Sequence, residues 1–350
     1  MAINYASSFE KKVQEAFKKN SITDSATGKE YSFAGNRTIY AYSVDTVPLN
    51  DYKRSGTNRY GDPQELGDTV QEMTMRDDKS FTMTIDKGNN ADQLNIKGAT
   101  RAIKRETEQV VIPYMDKYRL KEWAHNAGLI AGLSSEPAKN TIVEMIFDAD
   151  EAMSDALVPA TDRTLFIPNK YFKMLALSNE FIGIDDLGKK SVSRGEVGEV
   201  CGMVVKRVPS SYMPANAYFM IKYKGSTVDP VKLNETHIHQ DPPGISGNLL
   251  EGRFYHDAFV LSSKANGIYV AAASGKVTAA PSVSDSSGTV TITGTGVIKY
   301  TTDGTDPRYS ASAKTYGTTF DEAAGTVVKA VDYGAEGNFP SPIKEYKVTG

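Results

Sequence analysis

Phe9, Val13 and Phe17 recur at i, i+4 and i+8 within residues 6–19, with Lys and Glu between them. That spacing predicts a short amphipathic helix. Its apolar stripe is one residue wide, too narrow to hold a helix of this length by itself, so it reads as an arm that docks elsewhere. From about Tyr31 to Lys87 the period changes to two, in Thr38–Val44, in Thr69–Met75 and again in Ser80–Ile85. Between these runs, residues 51–68 carry Lys53, Arg54, Gly56, Arg59, Gly61, Pro63 and Gly67, the composition of a tip. The pattern predicts one long hairpin, with arms of about 15 residues reaching roughly 50 Å. A two-stranded ribbon is marginal in water and its open edges invite pairing, so it is expected to rest on a neighbouring molecule.

Helical spacing returns at about Ala91 and runs to Ala127 through Ile96, Ala99, Ile103, Val110, Tyr114 and Tyr118. Pro113 should kink or divide this helix and Gly128 should end it. Beyond it, strand-like and helical pieces alternate. They are Thr141–Phe147, a helix near Asp150–Leu157, the strand Arg163–Ile167, a helix opened by Pro168–Asn169, and the strands Val200–Val208 and Tyr218–Lys222. This is α+β material. Ala271–Gly275 reads as a small-residue linker. The remaining residues hold short alternating runs between Gly, Asp and Pro turns, which predicts a small all-β sandwich.

Forty Lys and Arg against 43 Asp and Glu give a net charge of −3 over 350 residues, with 40% hydrophobic positions. A chain so composed can bury a core of two or three domains, and it lacks the basic excess of a dedicated nucleic-acid binder. No apolar run suits a membrane span and the N-terminus does not read as a signal peptide, so a soluble protein made in the cytosol is expected. A single cysteine excludes an intrachain disulfide framework.

Candidate chemistry is thin. Gly244-Ile245-Ser246-Gly247 falls one residue short of a nucleophile elbow, and Cys201 sits in an apolar strand pattern that suits a small buried residue. His237 and His239 would share one strand face, but no carboxylate or thiol at ligand spacing accompanies them before Asp241. The glycines of Gly195–Gly202 have the wrong spacing for a phosphate loop, and a turn entering a strand fits better. Asp148–Glu151 lacks the glycine and distal glutamate of a calcium loop and reads as acids at a helix start. Asn36-Arg37-Thr38 and Asn234-Glu235-Thr236 match glycosylation sequons, without meaning in a chain that is not secreted. Lys53, Arg54 and Arg59 could touch nucleic acid, but such residues more often serve as a soluble, salt-bridging edge. No catalytic, cofactor-binding or metal residue can be named, and no enzymatic activity or cofactor is expected; the strong features are those of shape, and they point to assembly.

The order arm, long hairpin, long helix, α+β body resembles the major capsid proteins of tailed bacteriophages, the Hong Kong 97-type fold, over roughly residues 1–272. Arg163–Phe172 resembles that family's strand followed by a helix starting at proline. Gly195–Val208 resembles its glycine-punctuated strand, leading to a Val-Pro-x-x-x-x-Pro turn at Val208–Pro214. Tyr300–Pro307 and Val328–Gly334 resemble immunoglobulin-like domains related to the chitobiase C-terminal module.

The resemblance implies an N-terminal arm over 1–30, an extended hairpin loop over 31–90 and a spine helix of the peripheral domain over 91–128. The rest of the peripheral domain and the axial domain would occupy 129–272, and an immunoglobulin-like sandwich decorating the surface 273–350. It also implies copies assembling into pentamers and hexamers of an icosahedral head around double-stranded DNA. Partners would be further copies of the chain, a separate scaffolding protein, since the arm begins close to Met1, and a portal protein. The place would be the virion, assembled in the bacterial cytoplasm. Some relatives crosslink subunits through a lysine of the loop. Lys53 lies near the tip, but no matching asparagine and glutamate can be assigned, so crosslinking is not expected. The rival reading is a glycan-binding or cell-surface-binding protein acting through the C-terminal sandwich.

Overall fold

The structure is a computed structural model and describes residues 21–28, 31, 37–44, 46, 47, 49–63, 65–88, 98–178 and 196–350, with 196–199 as backbone alone. The arm helix expected over 6–19, the stretch 91–97 of the long helix and Gly195 lie outside these residues. The chain divides into two compact units. One holds Met75–Thr278 and Ala335–Pro340 with the described N-terminal residues, and the other Asn36–Thr74, Ala279–Gly334 and Ser341–Gly350.

The hairpin is real but shorter than its periodicity implies. β1 (Thr38–Val44) pairs antiparallel with β2 (Asp68–Thr74), from Thr38 opposite Thr74 to Val44 opposite Asp68. Arms of this length reach about 23 Å. The chain then leaves the ribbon. β3 (Asp77–Asp86) joins the body, pairing with residues 247–256 from His256 opposite Asp77 to Gly247 opposite Asp86. There Ile85 packs with Ile103 and Leu250, and Phe81 stacks on Phe254 at 6.0 Å. Alternation in Phe81, Met83 and Ile85 reports a strand with one apolar face; it does not report which strand lies beside it.

The long helix consists of α1 (Ala99–Glu106), a π-helical turn (Thr107–Val111) and α2 (Ile112–His125). Together they rise about 40 Å. Pro113 explains the interruption, because it has no N–H to return to the preceding turn. The helix yields by widening instead of breaking, and Ile112 N–H reaches back to Thr107 O. Gly128 follows the helix end, where a Cβ would lie 2.4 Å from the carbonyl carbon of Ala265.

The remaining body elements, in order, are β4 (Leu129–Leu133), α3 (Ile142–Asp155), β5 (Arg163–Pro168), α4 (Asn169–Ala176), β6 (Glu196–Val200), β7 (Met203–Val208) and β8 (Ala217–Tyr223). They are followed by β9 (Thr227–Val228), β10 (Val231–Gln240), β11 (Gly247–His256), β12 (Phe259–Val260) and β13 (Ile268–Ala273). Six of these strands form the main sheet in the order β4-β13-β8-β5-β7-β6, and a second sheet runs β10-β11-β3.

Three expectations are corrected in the body. Residues 142–147 are helical, and Ile142, Ile146, Ala149 and Met153 of α3 pack on Leu165, Ile167, Phe219 and Ile221 of the main sheet. Asp148–Glu151 therefore lies in the middle of that helix and not at its start. Ala271 and Ala272 are no linker: they are buried in β13, between β4 and β8. Division between the units falls after Thr278.

In the second unit β14 (Ser282–Ser286), β15 (Thr289–Thr293) and β18 (Phe320–Asp321) form one sheet. The other is β17 (Lys314–Thr315), β16 (Ile298–Thr301), β19 (Val327–Asp332) and β20 (Lys344–Lys347). Val283, Val290 and Ile292 of the first sheet share one core with Ile298, Tyr300, Val328 and Ala330 of the second, and Tyr300 stacks on Phe320 at 4.3 Å. The Asp303-Gly304 turn forms as its residues predict, with Gly304 at φ +77°.

Candidate assembly surface

The β1–β2 ribbon shows an unusual polarity. Tyr40, Tyr42 and Val44, which share one face by alternation, are exposed, whereas Ala41 and Met73 on the other face are buried. Tyr42 lies directly opposite Val70, so the exposed face carries a cross-strand apolar pair. The apolar surface continues past the strands. Val47, Leu49, Tyr52, Tyr60 and Leu66 are also exposed, Leu49 completely and Tyr60 by 84%. Single exposed apolar residues are ordinary, but a run of this kind on one ribbon and its tip marks an interaction site.

The tip has its own order. Tyr52 meets Tyr60 edge to face at 5.1 Å, Lys53 N–H donates to Arg59 O at 3.0 Å, and Asn58, Gly56 and Gly61 take positive φ. Arg59 Nε donates to Gly56 O at 3.1 Å, while Lys53 and Arg54 face solvent.

In the body, the segment Ser21–Gly28 is held by buried charges. Asp116 of α2 accepts from Ser21 Oγ at 2.6 Å, Ile22 N–H at 3.0 Å and Thr23 Oγ1 at 2.6 Å. Arg119, one turn on, donates to Thr23 Oγ1 at 3.0 Å and Asp24 Oδ1 at 2.6 Å. From the main sheet, Lys206 reaches Ile22 O at 2.9 Å and the Ser25 hydroxyl, and Lys222 reaches Ala26 O. Lys222 is wholly buried over the Trp123 ring, 4.4 Å from its centre, and burial pulls its ammonium down to about 8. Gly28 closes the segment where a Cβ would strike Thr227 O at 1.8 Å. Residues 21–28 are thus fastened by four buried ionic side chains from α2, β7 and β8. Sequence reading missed this cluster, because no periodicity links residues so far apart.

A second polar cluster sits where β3 begins. His256 is buried with its ring against Tyr114 and Tyr118, and Nε2 lies 3.0 Å from Asp77 Oδ2 but out of line for a hydrogen bond. Burial holds this imidazole down to about 4. Tyr114 OH donates to Asp77 Oδ1 at 3.0 Å and Tyr118 OH to Asp257 Oδ1 at 2.7 Å. Burial pushes the Glu122 and Asp257 carboxyls above their usual range.

The candidates for small-molecule chemistry do not converge. Cys201 is half-buried in the two-residue turn between β6 and β7, at φ +52°, and burial pushes its thiol up to about 11. It is a turn residue and not the strand residue its neighbours suggested; Gly202 completes the turn at φ +71°. His237 and His239 do share the exposed face of β10, rings 6.2 Å apart, with Glu235 3.7 Å from the first and Glu251 3.2 Å from the second. These carboxylates escaped the sequence reading, one preceding the pair and one across the sheet. Among the described residues no group of three or more His, Cys, Asp or Glu is placed to hold a metal ion. Asp241 instead pairs with Lys87 and accepts Gly247 N–H at 3.0 Å. Asp150 pairs with Arg163, whose side chain is buried at the start of β5. Asn234 is half-buried within β10, with Oδ1 buried and lacking a hydrogen-bond partner. Among the described residues no helix is long and apolar enough to cross a membrane.

No known family profile and no curated protein matches the sequence. Solved structures do match. A chain from Mycobacterium phage Che8 superposes with a TM-score of 0.58 at 15% identity, over 72% of this chain and 90% of that one. The capsid structure of the cyanophage P-SCSP1u gives 0.58 at 14%, over 73% and 88%. The mature capsid of bacteriophage PhiM1 gives 0.54 at 12%, over 73% and 86%. At such identities the likeness concerns the fold: this chain is built on the fold of phage capsid proteins.

Proposed function

We propose that the chain is the major capsid protein of a tailed bacteriophage, its copies assembling into the pentamers and hexamers of an icosahedral head around double-stranded DNA. The observation that carries this reading is the exposed Tyr40, Tyr42 and Val44 face with its apolar tip, on a chain with a capsid fold. A surface of this kind costs free energy while it faces water and is stabilised once a partner covers it. A copy of the same chain is that partner, and its contact is head to tail, because hairpin and recipient are different surfaces and such contacts close into rings.

The remaining parts follow from the same reading. The long helix is the spine of the subunit and the N-terminal arm reaches a neighbour from its fastened exit. The C-terminal β unit is immunoglobulin-like and faces the outside of the head. Scaffolding and portal proteins are its partners in assembly, and DNA is enclosed without sequence preference. Deleting residues 52–66 should abolish shells while the body stays folded by circular dichroism and thermal denaturation. Normal particles from that variant would overturn the proposal.

A further inference from the structure

A two-stranded ribbon has two open edges, each a row of unpaired N–H and C=O groups that can template pairing with another chain. Here the two edges are treated differently. Among the described residues β1 has β2 as its one strand neighbour, whereas β2 is met on its outer side by Ser310, which forms an antiparallel bridge with Gln71. Gln71 is the middle residue of β2 and lies opposite Ala41. The bridge therefore caps that edge at its centre.

Ser310 is held ready by the loop between β16 and β17. Asp303 Oδ1 accepts Thr305 N–H at 3.0 Å and Thr305 Oγ1–H at 2.6 Å, and Asp303 Oδ2 accepts the Ser312 hydroxyl at 2.5 Å. Asp306 O accepts the N–H groups of Tyr309 at 3.2 Å and Ser310 at 3.0 Å, while its carboxylate holds Arg308 Nη2 at 2.7 Å. Tyr309 is buried although it belongs to a loop. Side-chain turns of this type fix a loop before any partner arrives. Hairpin and loop belong to one compact unit of the chain.

We propose that the C-terminal β unit is the intramolecular seat of the hairpin. It closes the β2 edge of its own chain and leaves the β1 edge and the aromatic face as the pairing surface offered to a second copy. The unit then directs assembly, which a passive ornament would not do. What the second copy meets rests on the capsid reading; the seat itself does not.

The test is the full-length Gln71→Cys/Ser310→Cys variant, kept dilute and unassembled and treated with oxidised glutathione. Two protein thiols are oxidised to one disulfide as the glutathione disulfide is reduced to two thiols. Antiparallel partners have Cα atoms about 4.5–5.5 Å apart, within the range of about 4.4–6.8 Å that a disulfide spans. Cys201, its thiol pushed up to about 11, competes poorly. The expected result is near-complete conversion to one faster-migrating single-chain species on a non-reducing gel. Persistent free thiols, or chain-to-chain disulfides, would overturn the seat. A second readout protects against a variant that does not fold: in the otherwise unaltered chain, Tyr309→Ala should speed hydrogen exchange over residues 68–74 several-fold and leave α2 unchanged. Equal exchange at 68–74 would also overturn it. Both readouts use unassembled chains, so an intrachain disulfide in a protein that never forms shells would keep the seat and sink the capsid reading.

Discussion

Thr23 Oγ1 donates a 2.6 Å hydrogen bond to Asp116 Oδ1, joining positions 93 residues apart. The same carboxylate also takes Ser21 Oγ and Ile22 N–H, so one buried side chain satisfies three consecutive residues of the incoming segment. Asp116→Ala leaves those donors without their acceptor, and that of Thr23 is buried. The expected loss is about 3 kcal/mol or more of unfolding free energy, read by urea denaturation, with faster proteolysis near residue 20. A loss below about 1 kcal/mol would show that water replaces the carboxylate as acceptor.

His256 makes stability depend on pH. Its folded value of about 4 lies below the usual 6.5, so between these values the unfolded chain takes a proton that the folded chain refuses. Stability should therefore be intact above about pH 6.5 and fall as pH drops toward 4, by up to about 3 kcal/mol from this group. Asp77, Arg119 and Lys79 act on the ring by their charges, and Tyr114 and Tyr118 pack against it, Tyr118 donating to Asp257. The raised carboxyls of Asp257 and Glu122 act in the opposite sense at lower pH, where the folded state takes up their protons first. Melting temperature followed from pH 7.5 to 5 should decline in the parent and decline less in His256→Gln. Equal slopes would remove His256 as the cause.

Leu157 ends α3 in the left-handed region at φ +59°, with Val158 N–H bonded to Met153 O at 3.0 Å, a Schellman ending that normally uses glycine. Its side chain is almost wholly exposed and gives no packing in return. Leu157→Gly should raise stability by about 0.5–1 kcal/mol. A drop in melting temperature would mean that the leucine is covered in the folded chain.

The sequence made the hairpin, an interruption of the long helix near Pro113 and the two-sheet C-terminal unit legible, because each leaves a period or a breaker in the local residues; that the helix widens there instead of kinking was not legible. What stayed hidden was which element lies beside which. Phe81, Met83 and Ile85 alternate as a hairpin arm would, yet their neighbour is β11, more than 150 residues on. Ala271 and Ala272 have the composition of a linker but lie in a sheet whose β4 neighbour carries Gly132, where small side chains are what fits. Asp116, Arg119, Lys206 and Lys222 carry no pattern that announces their common target, and ordinary charge spacing would place them on a surface. The exposed apolar face was legible only in part, since alternation separates two faces without saying which one meets water.

That face should govern assembly and leave folding alone. Tyr40→Lys/Tyr42→Lys changes two exposed side chains, so unfolding free energy should stay within about 0.5 kcal/mol per site. Particle formation, read by sedimentation, should fall severely. Normal particles from this variant would place the contact on another surface.

Negative-stain electron microscopy of the purified full-length protein across a concentration series tests the central claim most directly. Closed shells, or rings of five and six copies, are the predicted result. Single, separate chains at every concentration, with the Tyr40 and Tyr42 face left open to solvent, would contradict it.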